Sequence, residues 1–398
     1  MTESRARIFT PTFLILAAYG MLALGLSLML VTGLPLYLRD QGWEAGRMGT
    51  ILGAYFLTSM VVRPFVGREA DRRGRKAILI VGALLLLLPC PGYLFTTSST
   101  GVLCLRVVQG VGWAMATTAT SAMASEIVPQ DRLGTGMGIY GILNGLGFTF
   151  GPALGAYLLN TGGPTAFVAA ATLLALGVLV CALALKVPAP ASTQALSWSD
   201  AGALTRMIGP ALFVTLAVSF GYGAIQTFLP LHARDSGVAN PGIFFTVFSV
   251  LSFISRPGMG RVSDFWGRKP TAALLMLIIA GTFALLATSA ALPSLIAAGV
   301  LYGIGHGAIY TVLMALVADL VPPKERGLAF GVFGTAIDLG ITSGNFVFGH
   351  VVPAFGYAGG FLLAAVIVLA SLPVLYAQRA AVVPAATVVA PNETPRRA

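Results

Sequence analysis

The sequence predicts an all-α integral membrane protein, with twelve transmembrane helices in two pseudo-symmetric six-helix bundles. Three observations point to this class. Of 398 residues, 57% are apolar and only 10% charged, against the ~25% charged residues of a soluble domain. Uninterrupted apolar runs exceed the ~18 residues that mark a membrane-crossing helix; from Phe13 to Leu38 there is no charge until Arg39. A basic loop is written twice, as GREADRRGRK from Gly67 to Lys76 and as GRVSDFWGRK from Gly260 to Lys269.

Breaking the apolar runs at charged, Pro and Gly clusters gives spans near 11–38, 46–66, 77–96, 101–125, 134–159 and 164–186, then 207–232, 240–262, 270–290, 293–318, 327–351 and 357–377. The first run is too long for a signal-peptide core and lacks a small-residue cleavage site, so it is expected to be retained. Residues 1–186 then form one bundle and 207–377 the other. The Pro- and Ser-containing stretch 187–206 is the linker, and the Ala-, Val- and Pro-rich stretch 378–398 a disordered tail.

An even number of spans puts both termini on one face. Arg39, Arg47 and Arg234 fall on the opposite face and Arg106 inside a helix; the remaining Lys and Arg gather on the side of the termini. By the positive-inside rule that side is cytoplasmic, which explains the net charge of +10 without nucleic acid. A multi-pass protein of a bacterial inner membrane is expected, acting as a monomer in the lipid bilayer. Cys90, Cys104 and Cys181 lack metal-ligand or CxxC spacing and read as small hydrophobes. Neither a metal nor a cofactor is expected.

The repeat holds over long stretches. A shift of 193 residues lays VRPFVGREADRRGRK over SRPGMGRVSDFWGRK, and EIVPQDRLGTGMGIYG from Glu126 over DLVPPKERGLAFGVFG from Asp319. Near the start the shift is 195, laying LPLYLRDQG at Leu34 over LPLHARDSG at Leu229.

Twelve spans in two halves, with G-x-x-x-D-x-x-G-R-K between the second and third and again between the eighth and ninth, resemble the major facilitator superfamily over the whole chain. Arg106, Gln109 and Gly110 in LRVVQG are similar to its fourth-helix motif. GFTFGPALGA, with Gly147, Gly151, Pro152 and Gly155, is similar to its fifth-helix antiporter motif, apart from Ala156 where that motif has a final Gly. The resemblance implies the branch of drug and metabolite proton antiporters.

In the repeated loop, Gly67 and Gly74 allow a tight turn, and Arg72 and Arg75 flank Asp71. One reading is a topology anchor. The other is a gate, with Asp71 against a helix N-terminus and Arg75 paired with Glu126. Gly260, Asp264, Gly267, Arg268 and Asp319 repeat the arrangement. The resemblance implies that such contacts latch the halves together on the cytoplasmic side in the outward-open state. The fifth-span glycines read equally as plain helix packing in lipid, while Pro152 marks a bend. Through the resemblance the motif leans towards export.

Ionisable groups at membrane depth are expensive and usually functional. Among the acids only Asp338 lies near the middle of a span, on a face shared with Gly331, Gly334, Thr342, Asn345 and Gly349. Burial disfavours charge, so a carboxylate there suits binding and releasing a proton near neutral pH; a hydrogen-bonded structural acid is the alternative. His306 lies mid-span on a face with Tyr302 and Tyr310, as a proton or substrate group or as an ordinary core histidine. Arg106 reads as the sole cation within a span and must find carbonyls, water or an anionic ligand. The resemblance implicates the matching arginine in proton coupling, and the shift puts Gly299 at its counterpart position.

Polar and aromatic residues on inward helix faces form the expected substrate cavity. The first half supplies Tyr19, Trp113, Thr117 and Asn144. The second supplies Ser219, Tyr222, Gln226, Tyr310 and Asn345. Ordinary packing is the alternative for each. No H-E-x-x-H, hydrolase G-x-S-x-G or nucleotide-binding G-x-x-x-x-G-K is present, which argues against a membrane enzyme or a primary pump. The expected function is proton-coupled efflux of a small amphipathic organic molecule, either a drug or a secreted metabolite such as a metal-binding opine. A proton-coupled importer of a sugar, carboxylate or other small metabolite on the same fold is the alternative.

Overall fold

The computed structural model describes residues 9–96, 98–128, 133–186, 198–238, 240–321 and 326–377. These form helices α1 (Pro11–Asp40), α2 (Ala45–Arg73), α3 (Arg75–Leu87), α4 (Pro89–Phe95), α5 (Ser99–Ile127) and α6 (Leu133–Ala184). The second half follows as α7 (Trp198–Asp235), α8 (Gly242–Trp266), α9 (Arg268–Thr288), α10 (Leu292–Leu320), α11 (Arg326–Ala370) and α12 (Leu372–Ala377). Residues 198–206 of the expected linker are therefore helical, while 187–197 and the tail 378–398 lie outside the described residues. The helices start where local chemistry allows: Thr10 accepts the Phe13 amide at 3.2 Å ahead of Pro11, and Ser98 caps α5 by accepting the Gly101 amide at 3.0 Å.

These elements do not map one to one on the expected spans. Among the described residues, 8 helices are long and apolar enough to cross a membrane, or up to 9 when the bent α8 is counted as one span. α6 and α11 each run through two expected spans, interrupted only at Gly163 (φ 68) and Gly356 (φ 67). α2, which carries Arg47, Arg63 and the Arg68–Arg73 cluster, is not among those 8 helices. Among the described residues, the positive-φ glycines are Gly42, Gly74, Gly163, Gly237, Gly267 and Gly356. They fall into three pairs related by the sequence repeat. Each breaks a helix where a side chain would be strained, so the duplication extends to backbone conformation.

Within the first half α1 packs along α6, and α5 against α2 and α3; in the second, α7 packs along α11, and α10 against α8 and α9. Small residues set these approaches. A Cβ on Gly151 would lie 2.5 Å from the Gly25 carbonyl, and one on Gly155 2.8 Å from that of Met29; Gly147 presses on Met21 in the same way. The repeat counterparts of Gly147 and Gly151 are Gly340 and Gly344, which meet the α7 carbonyls of Leu216 and Phe220 as closely. Gly147 and Gly151 of the antiporter motif thus have a packing role that is shared by both halves, whereas Gly155 has Phe348 at its counterpart position.

The halves meet along α2–α11, α6–α8 and α1–α7. The repeat exchanges α2 with α8 and α6 with α11, so the first two seams are equivalent. Along α2–α11, a Cβ on Gly49 would lie 3.0 Å from the Gly349 Cα, and one on Gly53 3.4 Å from the Thr342 carbonyl. Further along, towards the basic loops, Gly67, Gly331 and Gly334 have open space where a side chain would stand.

Candidate functional site

At the end of the α1–α7 seam remote from the basic loops, Arg39 Nη2 lies 2.9 Å from Asp235 Oδ2, and Arg234 Nη1 lies 2.7 Å from Asp40 Oδ1. Both pairs come from the duplicated Arg-Asp of LPLYLRDQG and LPLHARDSG, crossed so that each arginine takes the other half's aspartate. Tyr357 also donates to Asp235 at 3.0 Å. This end is closed by contacts between the halves.

At the basic-loop end, Arg75 pairs with Glu126, and Arg268 with Asp264 and Asp319, as the sequence predicts. Each of these clusters ties helices of its own half, and not, as the gate reading expects, the two halves to each other. The Asp71 side chain lies outside the described residues, Arg72 is exposed, and Arg73 pairs within α2 with Glu69.

Between the two ends lies the main departure from the sequence reading. Asp338 is 5% exposed and does not stand alone: Arg63 Nη2 of α2 reaches across the seam to 2.8 Å from its Oδ2. Arg106 is likewise not the sole cation within a helix. Arg63 and its repeat counterpart Arg256 both lie inside helices, α2 and α8. The expected span ends near 66 and 262 made them read as flanking charges. The signal was available in the shift itself, which lays Arg63 over Arg256 well before the loop.

Arg106 is fully buried. Its guanidinium carbon sits 4.2 Å from the Tyr55 ring centroid, and its Nη1 donates to Gln109 Oε1 at 3.2 Å. The Tyr93 hydroxyl donates to the same oxygen at 2.6 Å. Arg106 Nε and Nη2 have no hydrogen-bond partner among the described residues. Cation–π contact with a desolvated ring compensates part of the charge. Tyr55, which sequence reasoning missed, also shares a hydrogen bond of 2.7 Å with Ser27 and lies within electrostatic reach of Asp338 as well as Arg106. It is thus near both the buried cation of one half and the buried acid of the other.

His306 is enclosed by aromatic rings. Tyr222 stacks on it at 4.4 Å and Tyr302 at 4.7 Å, and Tyr310 meets it edge-on at 4.9 Å. Its Nε2 has no hydrogen-bond partner among the described residues. Tyr310 also shares a 2.8 Å hydrogen bond with Ser219 and lies within electrostatic reach of Asp338. Gln226 is buried beside Tyr222 with both amide atoms unpartnered. Asn345 hydrogen-bonds Thr227 and the Ile341 carbonyl inside the α7–α11 contact, which is a packing position.

The four first-half candidates, Tyr19, Trp113, Thr117 and Asn144, line one cavity of about 260 Å³ together with Tyr140 and Thr120. The second-half candidates Ser219, Tyr222, Gln226 and Tyr310 gather instead around His306. Groups of His, Cys, Asp and Glu able to hold a metal ion are absent among the described residues.

A bundle of long apolar helices, with polar clusters buried where its halves meet and an ion-pair closure at one end, defines a multi-pass membrane transport protein. The Major Facilitator Superfamily model matches residues 13–240 and 211–396, and the chain belongs to that family. Membership makes it a secondary transporter, not an enzyme. Among curated proteins it is 24% identical over 356 residues to the staphylopine export protein of Staphylococcus aureus, covering 84% of this chain and 88% of that protein. It is 26% identical over 247 residues to the quinolone resistance protein NorA of the same species, a match spanning 58% of this chain and 63% of NorA. Among solved structures, a point mutant of the nucleoside transporter NupG superposes with a TM-score of 0.75 at 16% identity, covering 92% of this chain and 99% of that one. That likeness concerns the fold alone.

Proposed function

We propose that the protein is a proton-coupled exporter of a small amphipathic organic molecule, working by alternating access between two six-helix bundles of twelve spans in all. The observation that carries this reading is the Arg63–Asp338 pair across the α2–α11 seam. A proton arriving on Asp338 removes one charge of a pair held away from water. The attraction that spans the seam is then lost, and the bundles are free to rock. Binding and release of that proton at opposite faces couples rocking to a proton gradient. Arg106 with Tyr55 on one side and His306 with Tyr310 on the other are the groups through which substrate occupancy bears on the pair.

With the basic loops on the cytoplasmic side, as the positive-inside rule has it, the crossed Arg39–Asp235 and Arg234–Asp40 pairs close the outer face, and the described conformation faces inward. Both termini are then cytoplasmic, in a bacterial inner membrane. The repeated loops form the latch of the opposite, outward-facing state. Export is supported by the antiporter-motif resemblance and by relatives whose names describe export and drug resistance; import on the same fold is the alternative.

The test is transport by purified protein in lipid vesicles with an imposed pH gradient, comparing wild type with Asp338→Asn. Export is expected to follow the proton gradient in wild type. The variant should lose gradient-driven accumulation while retaining exchange down the substrate's own gradient. Unchanged proton-driven transport by the variant would overturn the coupling assignment, and accumulation on the opposite side would establish import.

A further inference from the structure

The repeat exchanges the α2–α11 and α6–α8 seams, yet only one of them carries a complete ion pair among the described residues. On α2–α11, Arg63 meets Asp338. On α6–α8 the corresponding arginine is Arg256, and the position corresponding to Asp338 is Gly145. The geometry is preserved without the acid: a Cβ built on Gly145 would lie 3.5 Å from Arg256 Nη1, ordinary van der Waals contact. No carboxylate among the described residues pairs with Arg256. Its Nε donates to the Gly307 carbonyl at 3.0 Å, and Tyr222 and His306 lie within its electrostatic reach.

Arg256 also sits where α8 bends by 47°, between Gly242–Arg256 and Gly258–Trp266, with Pro257 at the break. Through Tyr222 it adjoins Gln226, which is 1% exposed and whose two amide atoms have no partner of hydrogen-bond geometry among the described residues. The buried His306 Nε2 is unpartnered too. A half-buried cation and three unused polar atoms have thus collected on one seam, against a wall of stacked rings that includes Phe148 on Tyr222 at 5.6 Å. Charge and polar atoms left this way in a membrane protein are costly unless a ligand completes them. A guanidinium binds a planar carboxylate through two parallel hydrogen bonds, and the rings suit an apolar body.

We propose that Arg256, with Gln226 and His306 beside Tyr222, is an anion subsite at the α6–α8 seam that takes the carboxylate of an amphipathic organic substrate. The substrate supplies the negative charge that Asp338 supplies on the equivalent seam. The α6–α8 seam is therefore neutralised only when cargo is bound. This deepens the transport reading and depends on it only in calling the ligand a substrate.

The experiment measures equilibrium binding to the purified full-length chain in neutral detergent, with no gradient. The probes are benzoylglycine, benzoylphenylalanine and benzoyltryptophan, each paired with its primary amide. At least one carboxylate is expected to bind about tenfold or more tighter than its amide, the scale of one charge-assisted bidentate contact. Arg256→Gln should abolish that preference while amide binding persists as evidence of folding, and Arg256→Lys should keep part of it. Gly145→Asp restores the missing acid and should abolish the preference without touching Arg256. Vesicle transport that ignores the proton gradient while this discrimination persists would count against the transport reading and leave the subsite standing. The subsite is overturned if no carboxylate outbinds its amide, if the preference survives Arg256→Gln and Gly145→Asp, or if phosphatidylglycerol added to the micelles is the only anion whose binding needs Arg256.

Discussion

Arg63 and Asp338, 275 residues apart in sequence, meet at 2.8 Å between α2 and α11. The pair is largely withdrawn from water, with side chains 24% and 7% exposed, so removing one partner leaves a charge that the seam must accommodate alone. Single Arg63→Gln and Asp338→Asn variants are each expected to destabilise the protein by roughly 3 kcal/mol. The double variant should be less destabilised than the two singles combined, by about 1–3 kcal/mol of coupling. Thermal unfolding followed by intrinsic fluorescence measures this; additive effects would mean that the two side chains do not interact.

The crossed pairs at the far end of α1 and α7 are different in kind. Their side chains are 37–56% exposed, so each contributes about 1 kcal/mol at most. Their expected effect is on conformational balance. Arg39→Glu, which faces Asp235 with a like charge, should raise the population open at that end by roughly fivefold, the equivalent of about 1 kcal/mol. Arg39→Glu with Asp235→Arg should reverse the shift. Spin labels at Gln41 and Ser236, both exposed, read it as a longer component in the distance distribution.

Gly151 and Gly209 separate packing from helix propensity. A Cβ on Gly151 would stand 2.5 Å from the Gly25 carbonyl, whereas one on Gly209 meets nothing within 4 Å. Gly151→Ala is expected to cost about 1–3 kcal/mol by forcing α1 and α6 apart. Gly209→Ala should be neutral or stabilising by up to about 1 kcal/mol. Melting temperatures of the two variants in the same detergent decide it; equal values would remove the packing account of the antiporter-motif glycines.

Arg106 tests whether charge or shape matters at the Tyr55 ring, 4.2 Å from its guanidinium carbon. A lysine keeps the charge and loses the planar stacking surface and the fixed geometry towards Gln109. Arg106→Lys should therefore lower transport in vesicles by about tenfold, the equivalent of about 1.4 kcal/mol, through the lost planar contact and the lost geometry towards Gln109. Tyr55→Phe retains the ring and should act mainly through the lost Ser27 hydrogen bond, with a smaller effect. Full activity in Arg106→Lys would assign the position to charge alone.

The membrane class, the duplication and the ion pairs within each basic-loop cluster were all legible in the chain. Hydropathy depends on composition over a window, and the pairs Arg75–Glu126 and Arg268–Asp319 follow from loops that the repeat writes twice. Asp338 and His306 stood out because ionisable residues are rare at membrane depth. Arg63 and Arg256 did not, because an arginine near a basic loop reads as a flanking anchor until the helix is seen to continue past it. Tyr55 carried no signal: a lone tyrosine on an apolar face says nothing about what lies across from it.

The sequence by itself determined that this chain lives in a membrane, that its two halves repeat one pattern, and that Asp338 and Arg106 lie at membrane depth, because each of these follows from local hydropathy or from register between the copies. Only the tertiary structure decided which charges meet. A helix can turn any of its faces towards a neighbour, and the rotation and tilt of α2, α6 and α11 are set by close backbone approaches at their own glycines, and those of α8 by Gly303 and Gly307 of α10, which no local pattern encodes. Those approaches bring Asp338 to Arg63 and leave Arg256 facing Gly145. The duplicated unit thereby acquires two unlike seams, one with its acid built in and one without.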